Sequence, residues 1–309
     1  RGKSGRSSCI IMSSILNRVQ LFLAEANKAS VPISSTIVNE FGEMCKAAFV
    51  KQFIEPREKK FRPRMSNIGR PLCQLQMEKS GAKSETIPYN HKMRNFYGDV
   101  IEAMAVAILK SSGVKIDEFQ KKVKHKFKDG EINGTYDVQI MDKVWDIKSA
   151  SPYSFKYKFG DEGGFNAIVK DDTFGYVSQG YLYGEADKKE FGGWIVIDKS
   201  SGEWSVVETP LSDDEYSKNA LKQAEENLKA LNSDAPFKRL YEDDEEFFNK
   251  KPTGNRILKS PCTFCQYKQS CWGEVKYLPQ QQSKAINPKY YWYTKVNNPK
   301  EENNDSSSE

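Results

Sequence analysis

Apolar and polar residues alternate with a period of two over three neighbouring segments in the middle of the chain. The segments cover residues 121–128, 134–141 and 143–149. This period predicts β-strands with one apolar face. In the third strand Trp145 and Ile147 face one side of the sheet, while Asp146 and Lys148 face the other. We therefore expect three adjacent strands joined by short turns.

The neighbouring segments have the three- and four-residue apolar spacing of amphipathic helices. Helices are predicted near residues 13–28, 35–53, 97–108, 172–185 and 221–231, with two further strands at 194–197 and 203–208. Helices that alternate with strands are typical of an α/β fold. We expect a restriction-endonuclease-like mixed sheet flanked by helices, with a helical N-terminal lobe and a C-terminal cysteine-cluster segment.

This pattern also suggests an organisation into segments. We expect a leader or disordered segment at 1–12, a helical N-terminal lobe with Cys73 at 13–90, a core at 91–210, a helix and cysteine segment at 211–297, and a disordered acidic tail at 298–309. Neither a long apolar run nor a secretory signal is present, so we expect no membrane contact. The expected location is the cytoplasm, including a host cytoplasm if a phage encodes the protein.

Composition and charge restrict the class of protein only in part. With 309 residues, 38% of them hydrophobic and 12% aromatic, the chain has the composition of a globular protein. The net charge of +5 does not by itself indicate a nucleic-acid-binding protein. One stretch at residues 56–64 is strongly basic, however, and contains Arg57, Lys59, Lys60, Arg62 and Arg64. It is either a solvated face or a nucleic-acid-binding surface.

Carboxylates on two adjacent predicted strands indicate a possible metal site. Antiparallel pairing would bring Asp137 close to Asp146, and Lys148 projects from the same face as Asp146. Carboxylate oxygens suit Mg²⁺ or Mn²⁺, and an ammonium group can stabilise developing negative charge. An aspartate two residues before a lysine is also common as a surface ion pair. The apolar flanks Trp145 and Ile147 favour a half-buried site, where unpaired charges are costly.

Four motifs in order resemble those of the RecB-like branch of PD-(D/E)-x-K nucleases. They are Gly98-Asp99-Val100-Ile101-Glu102, Gly134-Thr135-Tyr136-Asp137, Asp146-Ile147-Lys148 and Gln179-Gly180-Tyr181-Leu182-Tyr183. The resemblance implies that Glu102, Asp137 and Asp146 bind Mg²⁺ or Mn²⁺ and that Lys148 assists catalysis. It also implies that Gln179 and Tyr183 support the site and the DNA. Many iron-sulfur members have histidine where this chain has Glu102, although other branches have glutamate.

Four cysteines indicate a second metal site. Cys262, Cys265 and Cys271 lie within ten residues of one another, and Cys73 is the candidate for a fourth ligand. The arrangement resembles that of AddB-type and CRISPR-associated RecB-like nucleases, in which such cysteines hold a [4Fe-4S] cluster. Four cysteines can equally hold Zn²⁺, and their spacing does not separate the two.

The resemblance covers roughly residues 65–275 and implies a metal-dependent hydrolase of phosphodiesters. We expect a DNA exonuclease acting on single-stranded DNA or DNA ends, with metal-activated water as nucleophile. Two alternatives remain, a non-catalytic DNA-binding or recombination scaffold and a restriction-like endonuclease.

Overall fold

The computed structural model describes residues 4–56, 60–210 and 214–297. Contacts divide the chain into two compact units. Unit 1 contains the described residues up to Arg70 and those from Ile87 to Ala235, whereas unit 2 contains Pro71–Thr86 and the described residues from Pro236 onward. The predicted helical lobe at 13–90 does not coincide with either unit, because residues 71–86 make their contacts with the C-terminal part of the chain.

The described elements alternate between helices and strands. The helices are α1 (Ser4–Ala26), α2 (Ser35–Phe49), α3 (Leu72–Lys79), α4 (His91–Ser111), α5 (Pro152–Ser154), α6 (Phe165–Lys170), α7 (Tyr176–Asp187), α8 (Asp214–Asn232), α9 (Ser260–Thr263) and α10 (Lys268–Trp272), with π-helical turns π1 (Val50–Ile54) and π2 (Phe155–Phe159). The strands are β1 (Glu118–Phe127), β2 (Gly130–Ile140), β3 (Lys143–Ala150), β4 (Glu190–Asp198), β5 (Trp204–Glu208), β6 (Asp244–Phe248), β7 (Lys251–Ile257), β8 (Lys276–Pro279) and β9 (Tyr290–Lys295). No helix in the described part of the chain is long and apolar enough to cross a membrane.

Unit 1 is built on a five-stranded sheet in the order β1-β2-β3-β4-β5. Strands β3 and β4 pair in parallel, and the other neighbours pair antiparallel. The β2–β3 turn consists of Met141 and Asp142, with φ of 53° and 61°. Two consecutive positive φ values characterise the tight hairpin turn that fits the twist of a sheet. This turn fixes the β2–β3 register, which pairs Val138 with Trp145.

Helices cover both faces of this sheet. Trp145 and Ile147 pack with α1 and α4 in one core, whereas Trp194 and Val196 pack with α6, α7 and α8 in another. The alternation predicted for β3 is therefore confirmed, and so is the mixed α/β sheet flanked by helices. Because helices cover both faces, Asp146 in the middle of β3 is only 1% exposed and lies in a poorly solvated environment.

Two helix starts differ from the sequence-based expectation. Helix α1 begins at Ser4, within the expected leader; it includes Gly5, and no other glycine or proline occurs before its end at Ala26. Helix α7 begins at Tyr176 rather than Asp172. The Asp172 carboxylate instead accepts hydrogen bonds from the backbone amides of Tyr176 at 2.6 Å and Val177 at 2.9 Å. Asp172 thus caps the helix from the preceding loop.

Unit 2 contains an antiparallel sheet in the order β6-β7-β9-β8. Glu246 of β6 is 1% exposed, and its carboxylate accepts hydrogen bonds from Asn255 at 2.8 Å and from the Tyr293 hydroxyl. Helices α3, α9 and α10 carry cysteines of this unit. The expected disordered tail at 298–309 lies outside the described residues.

Candidate active site

The candidate site begins with the charged residues of strand β3. Asp146 is 1% exposed, and its Oδ2 atom lies 2.7 Å from the Nζ atom of Lys148. The side chain of Lys148 is 21% exposed, so the ion pair extends from the interior toward solvent. Burial alone would lower the pKa of Lys148, but the charges of Asp146 and Asp137 outweigh it and raise that pKa. Lys148 therefore remains an ammonium group at neutral pH.

One oxygen of the Asp146 carboxylate is left without a conventional partner. Its Oδ1 atom is buried and accepts no hydrogen bond from the described residues. A buried carboxylate oxygen without a donor costs roughly 1–3 kcal/mol, and more when the group is charged. No donor in the described part of the fold satisfies this oxygen.

Asp137 lies next to this pair because of the hairpin register. Its Oδ2 atom accepts a hydrogen bond from the backbone amide of Ile147 at 2.6 Å. Burial, together with the negative charges of Glu102 and Asp146, raises the pKa of Asp137 well above its ordinary value. The antiparallel approach of Asp137 to Asp146 expected from the sequence is therefore present.

Helix α4 supplies a third carboxylate. Glu102 accepts a hydrogen bond from the side-chain amide of Gln120, and burial raises its pKa to about 7. Lys51 opposes this rise, whereas the negative charges of Asp99 and Asp146 add to it. Lys51 also donates to Asp99 at 2.8 Å. Three carboxylates thus influence one another electrostatically around one ammonium group.

Helix α7 covers the same face with aromatic and amide groups. Gln179 donates a hydrogen bond to the Tyr183 hydroxyl at 3.0 Å, which brings the two motif residues together. Burial raises the pKa of Tyr183, and the negative charge of Asp146 adds to this effect. Gly134 makes space for the ring, because a Cβ atom there would lie 2.5 Å from Cε1 of Tyr183. The glycine of the second motif therefore has a steric role.

Sequence reasoning missed several neighbours of this cluster. The ring of Tyr176 lies 5.1 Å from the Lys148 Nζ atom, within cation–π range. Lys51 and Gln120 reach the cluster from π1 and β1. Tyr176 is the first residue of the helix that carries the Gln179–Tyr183 motif, so its place in the sequence could have indicated it. Lys51 and Gln120 are distant in sequence and belong to no motif.

The cluster is not a ready-made metal site. Among the residues that the structure describes, no three His, Cys, Asp or Glu side chains are arranged so that they could hold a metal ion. Protein donors engage all three carboxylates: Gln120 donates to Glu102, the amide of Ile147 to Asp137, and Lys148 to Asp146 Oδ2. The chemistry of the oxygen-only donor set nevertheless suits Mg²⁺ or Mn²⁺, and Asp146 Oδ1 is a buried acceptor without a donor.

The basic stretch is only partly described, because Arg57 and Lys59 lie outside the described residues. Lys60, Arg62 and Arg64 are exposed. The backbone of Arg64 bridges to Asn133 of β2, so this end of the stretch is anchored to the sheet. Nucleic-acid binding by these residues stays a prediction.

The four candidate cysteines of unit 2 line one small pocket. Its walls include Cys73, Cys262, Cys265 and Cys271. Burial raises the pKa of the thiols of Cys73 and Cys265, and it raises that of Cys262 to about 11. All four are free thiols. The sequence-based grouping is thus present as a shared pocket, although the described side chains do not form a ready-made metal site there either.

Comparisons with known proteins add little. No protein-family model matches the chain, and no curated protein sequence does. The solved structure of SSO0001 is 12% identical with a TM-score of 0.39, over 74% of this chain and 93% of that one. A protein named "Putative exonuclease" from Eubacterium rectale is 11% identical with a TM-score of 0.35, over 66% of this chain and 88% of that one. Both TM-scores are too low to establish a shared fold or function.

Proposed function

We propose that this chain is a divalent-metal-dependent DNA nuclease of the PD-(D/E)-x-K kind. The observation that carries the proposal is the buried Asp146–Lys148 ion pair, whose carboxylate has an unpartnered oxygen and two further carboxylates nearby. A charged cluster of this kind lowers the stability of the fold unless a ligand compensates it. Functional sites are where such perturbed ionisable groups concentrate.

In this proposal Glu102, Asp137 and Asp146 hold Mg²⁺ or Mn²⁺. When bound, the ion supplies an activated water nucleophile and neutralises charge on the scissile phosphate. The hydrogen bond from Gln120 engages one oxygen of Glu102, so the carboxylate would keep acceptor capacity on its other oxygen for an ion. A bound cation would lower the pKa values of Glu102 and Asp137, because its positive charge opposes the burial and the neighbouring negative charges that raise them.

The other residues of the cluster have roles that need no ion. Lys148 presents a permanent positive charge at the mouth of the site, where it can stabilise the negative charge that develops on a phosphate. Tyr176 limits the positions of the ammonium group from one side. Gln179 and Tyr183 form a hydrogen-bonded pair that fixes the tyrosine hydroxyl at the site.

The substrate that we propose is single-stranded DNA or DNA with free ends, and the reaction is exonucleolytic. End-labelled single-stranded DNA should be degraded in Mn²⁺ and remain intact in EDTA. Lys148→Ala should abolish cleavage while largely retaining DNA binding. Cleavage by this variant would contradict the proposed active site. DNA binding without cleavage by the wild-type chain would instead favour the DNA-binding scaffold. Covalently closed circular DNA distinguishes an exonuclease from a restriction-like endonuclease, because a strict exonuclease leaves it intact and the endonuclease cleaves it.

We further propose that Cys73, Cys262, Cys265 and Cys271 hold a structural metal centre, a [4Fe-4S] cluster or alternatively Zn²⁺. Their shared pocket supports this proposal. The raised thiol pKa values of Cys262 and Cys265 mean that, without a metal, these thiols remain protonated at neutral pH, so metal uptake would release protons. Free thiols persist in a reducing compartment, so we propose that the protein acts in the cytoplasm.

A further inference from the structure

The segment that follows β3 displays two tyrosines to solvent. Tyr153 of α5 is 76% exposed and Tyr157 of π2 is 45% exposed, and their ring centroids lie 4.9 Å apart with 52° between the planes. Phe159 of the same segment is 4% exposed and packs in the core. The inward phenylalanine anchors the turn, so the outward tyrosines are held in place by the fold. Their exposure has no evident purpose in packing.

Two lysines accompany these rings. The Nζ atom of Lys156 lies 5.0 Å from the centre of the Tyr157 ring, and its side chain is 56% exposed. Lys156 pairs with Glu162 at 3.1 Å, but both side chains are more than half exposed. Such a surface ion pair contributes only about 0–1 kcal/mol, and a stronger anion can replace Glu162.

Lys158 links the turn to the candidate active site. Its Nζ atom lies 5.8 Å from the centre of the Tyr176 ring, and the Nζ atom of Lys148 lies 5.1 Å from the same centre. Both ammonium groups therefore approach one aromatic ring. Phe174, which is 39% exposed, stacks on Tyr176 at a centroid distance of 5.6 Å. Exposed aromatic rings and positive charges thus begin at the proposed catalytic lysine and continue along the turn.

We propose that Tyr153 and Tyr157, together with Lys156 and Lys158, bind unpaired bases of a single nucleic-acid strand beside the active site. This inference rests on the proposed nuclease function and specifies its substrate. Exposed aromatic rings offer their faces to bases, and flanking cations follow the phosphates. In a duplex, the neighbouring base pairs already cover the faces of the bases. The surface, which we call the tyrosine platform, therefore selects single strands.

The test measures binding of a fluorescently labelled oligothymidylate by anisotropy, in EDTA so that no cleavage occurs. Tyr153→Leu/Tyr157→Leu keeps apolar side chains but removes the rings, and it should weaken single-strand binding by about tenfold or more. A duplex of equal length should bind both proteins equally. Tyr153→Phe/Tyr157→Phe retains the rings and should bind the single strand as the wild type does, which also shows that the turn tolerates substitution.

A matched control exists in unit 2. Tyr277 and Tyr290 are 56% and 51% exposed, with ring centroids 5.2 Å apart. Tyr277→Leu/Tyr290→Leu should leave single-strand binding unchanged. Lys156→Gln/Lys158→Gln should reduce the slope of log affinity against log salt by about 0.7 for each phosphate that the variant no longer neutralises, whereas the platform leucine variant should leave this slope unchanged.

Three results would overturn the tyrosine platform: unchanged binding by its leucine variant, equal loss for single strand and duplex, or loss confined to the unit 2 control. Cleavage assays keep this inference separate from the proposed function. If the wild type degrades DNA in Mn²⁺ and the leucine variant binds normally, the platform fails and the nuclease stands. If the leucine variant loses binding but the wild type never cleaves, the nuclease fails and a single-strand binding surface remains.

Discussion

Replacing Glu102 by glutamine should stabilise the metal-free protein at alkaline pH. Glu102 has an ordinary pKa of 4.5 and a pKa of about 7 in the folded chain, because burial disfavours its charged form. One pH unit corresponds to about 1.36 kcal/mol, so ionised Glu102 costs the folded state about 3 kcal/mol. Glutamine has nearly the same shape and can still bond to Gln120, but it carries no charge.

The sign of the pH dependence follows from the raised pKa. Below the unfolded pKa, Glu102 is protonated in both states and its substitution changes little. Between the two pKa values the folded state binds more protons, so the free energy of unfolding falls as pH rises. Above the folded pKa, Glu102 is ionised in both states and lowers the free energy of unfolding by its full amount. Glu102→Gln should therefore change the free energy of unfolding very little at about pH 4 and should raise it by up to about 3 kcal/mol at about pH 8.

Urea unfolding in EDTA at these two pH values measures the effect. Glu43→Gln is the matched control, because the Glu43 side chain is 75% exposed on α2 and its substitution should change stability by no more than about 0.5 kcal/mol. Equal stability of wild type and Glu102→Gln at about pH 8 would refute the reasoning. In Mn²⁺ the order should reverse, since the wild type gains a ligand-binding term that the variant loses.

Three further substitutions test other parts of the structure. Lys148→Met removes the charge that compensates Asp146 and should lower the free energy of unfolding by about 3–5 kcal/mol, measured in urea near neutral pH; a neutral effect would mean that the pair is not energetically buried. Gly134→Ala should lower the thermal midpoint, because its Cβ atom would lie 2.5 Å from the Tyr183 ring, and an unchanged midpoint would contradict that packing. Cys265→Ser should remove bound metal and destabilise the chain, as elemental analysis and thermal unfolding would show; unchanged metal content and stability would disprove the metal centre.

Two matched variants serve as controls for these substitutions. Asp146→Asn/Lys148→Met removes both charges and should recover part of the stability lost in Lys148→Met. Cys45→Ser changes a cysteine of α2, outside the four-cysteine pocket, and should leave the metal content unchanged. A loss of metal in Cys45→Ser equal to that in Cys265→Ser would mean that metal uptake depends on general stability.

The central strands could be predicted because their faces differ in polarity. Trp145 and Ile147 pack in one core, and the intervening Asp146 lies on the opposite face with Lys148. The hairpin register that brings Asp137 close to Asp146 depends on Met141 and Asp142 adopting positive φ. Neither residue is glycine, so the turn geometry itself was not readable from the sequence.

Strand β6 of the small sheet in unit 2 could not be predicted, because its acidic sequence has the pattern of a solvated linker. The acidic run that includes Glu246 forms strand β6, and Glu246 is buried through hydrogen bonds to Asn255 and Tyr293. A sequence does not show that a carboxylate has such partners. The same limit applies to Lys51 and Gln120 at the candidate site, since only tertiary packing brings them close to Glu102.

Direct measurement of Mn²⁺ binding tests the central claim most directly. Free Mn²⁺ can be followed by electron paramagnetic resonance as protein is titrated with the ion, comparing wild type, Asp146→Asn and Asp198→Asn. Asp198 is a matched control because it is 5% exposed and its Oδ1 atom accepts a hydrogen bond from the amide of Ser200 at 2.8 Å. We predict that wild type and Asp198→Asn bind Mn²⁺ and that Asp146→Asn does not. Equal binding by Asp146→Asn, or no binding by the wild type, would contradict the proposed metal site.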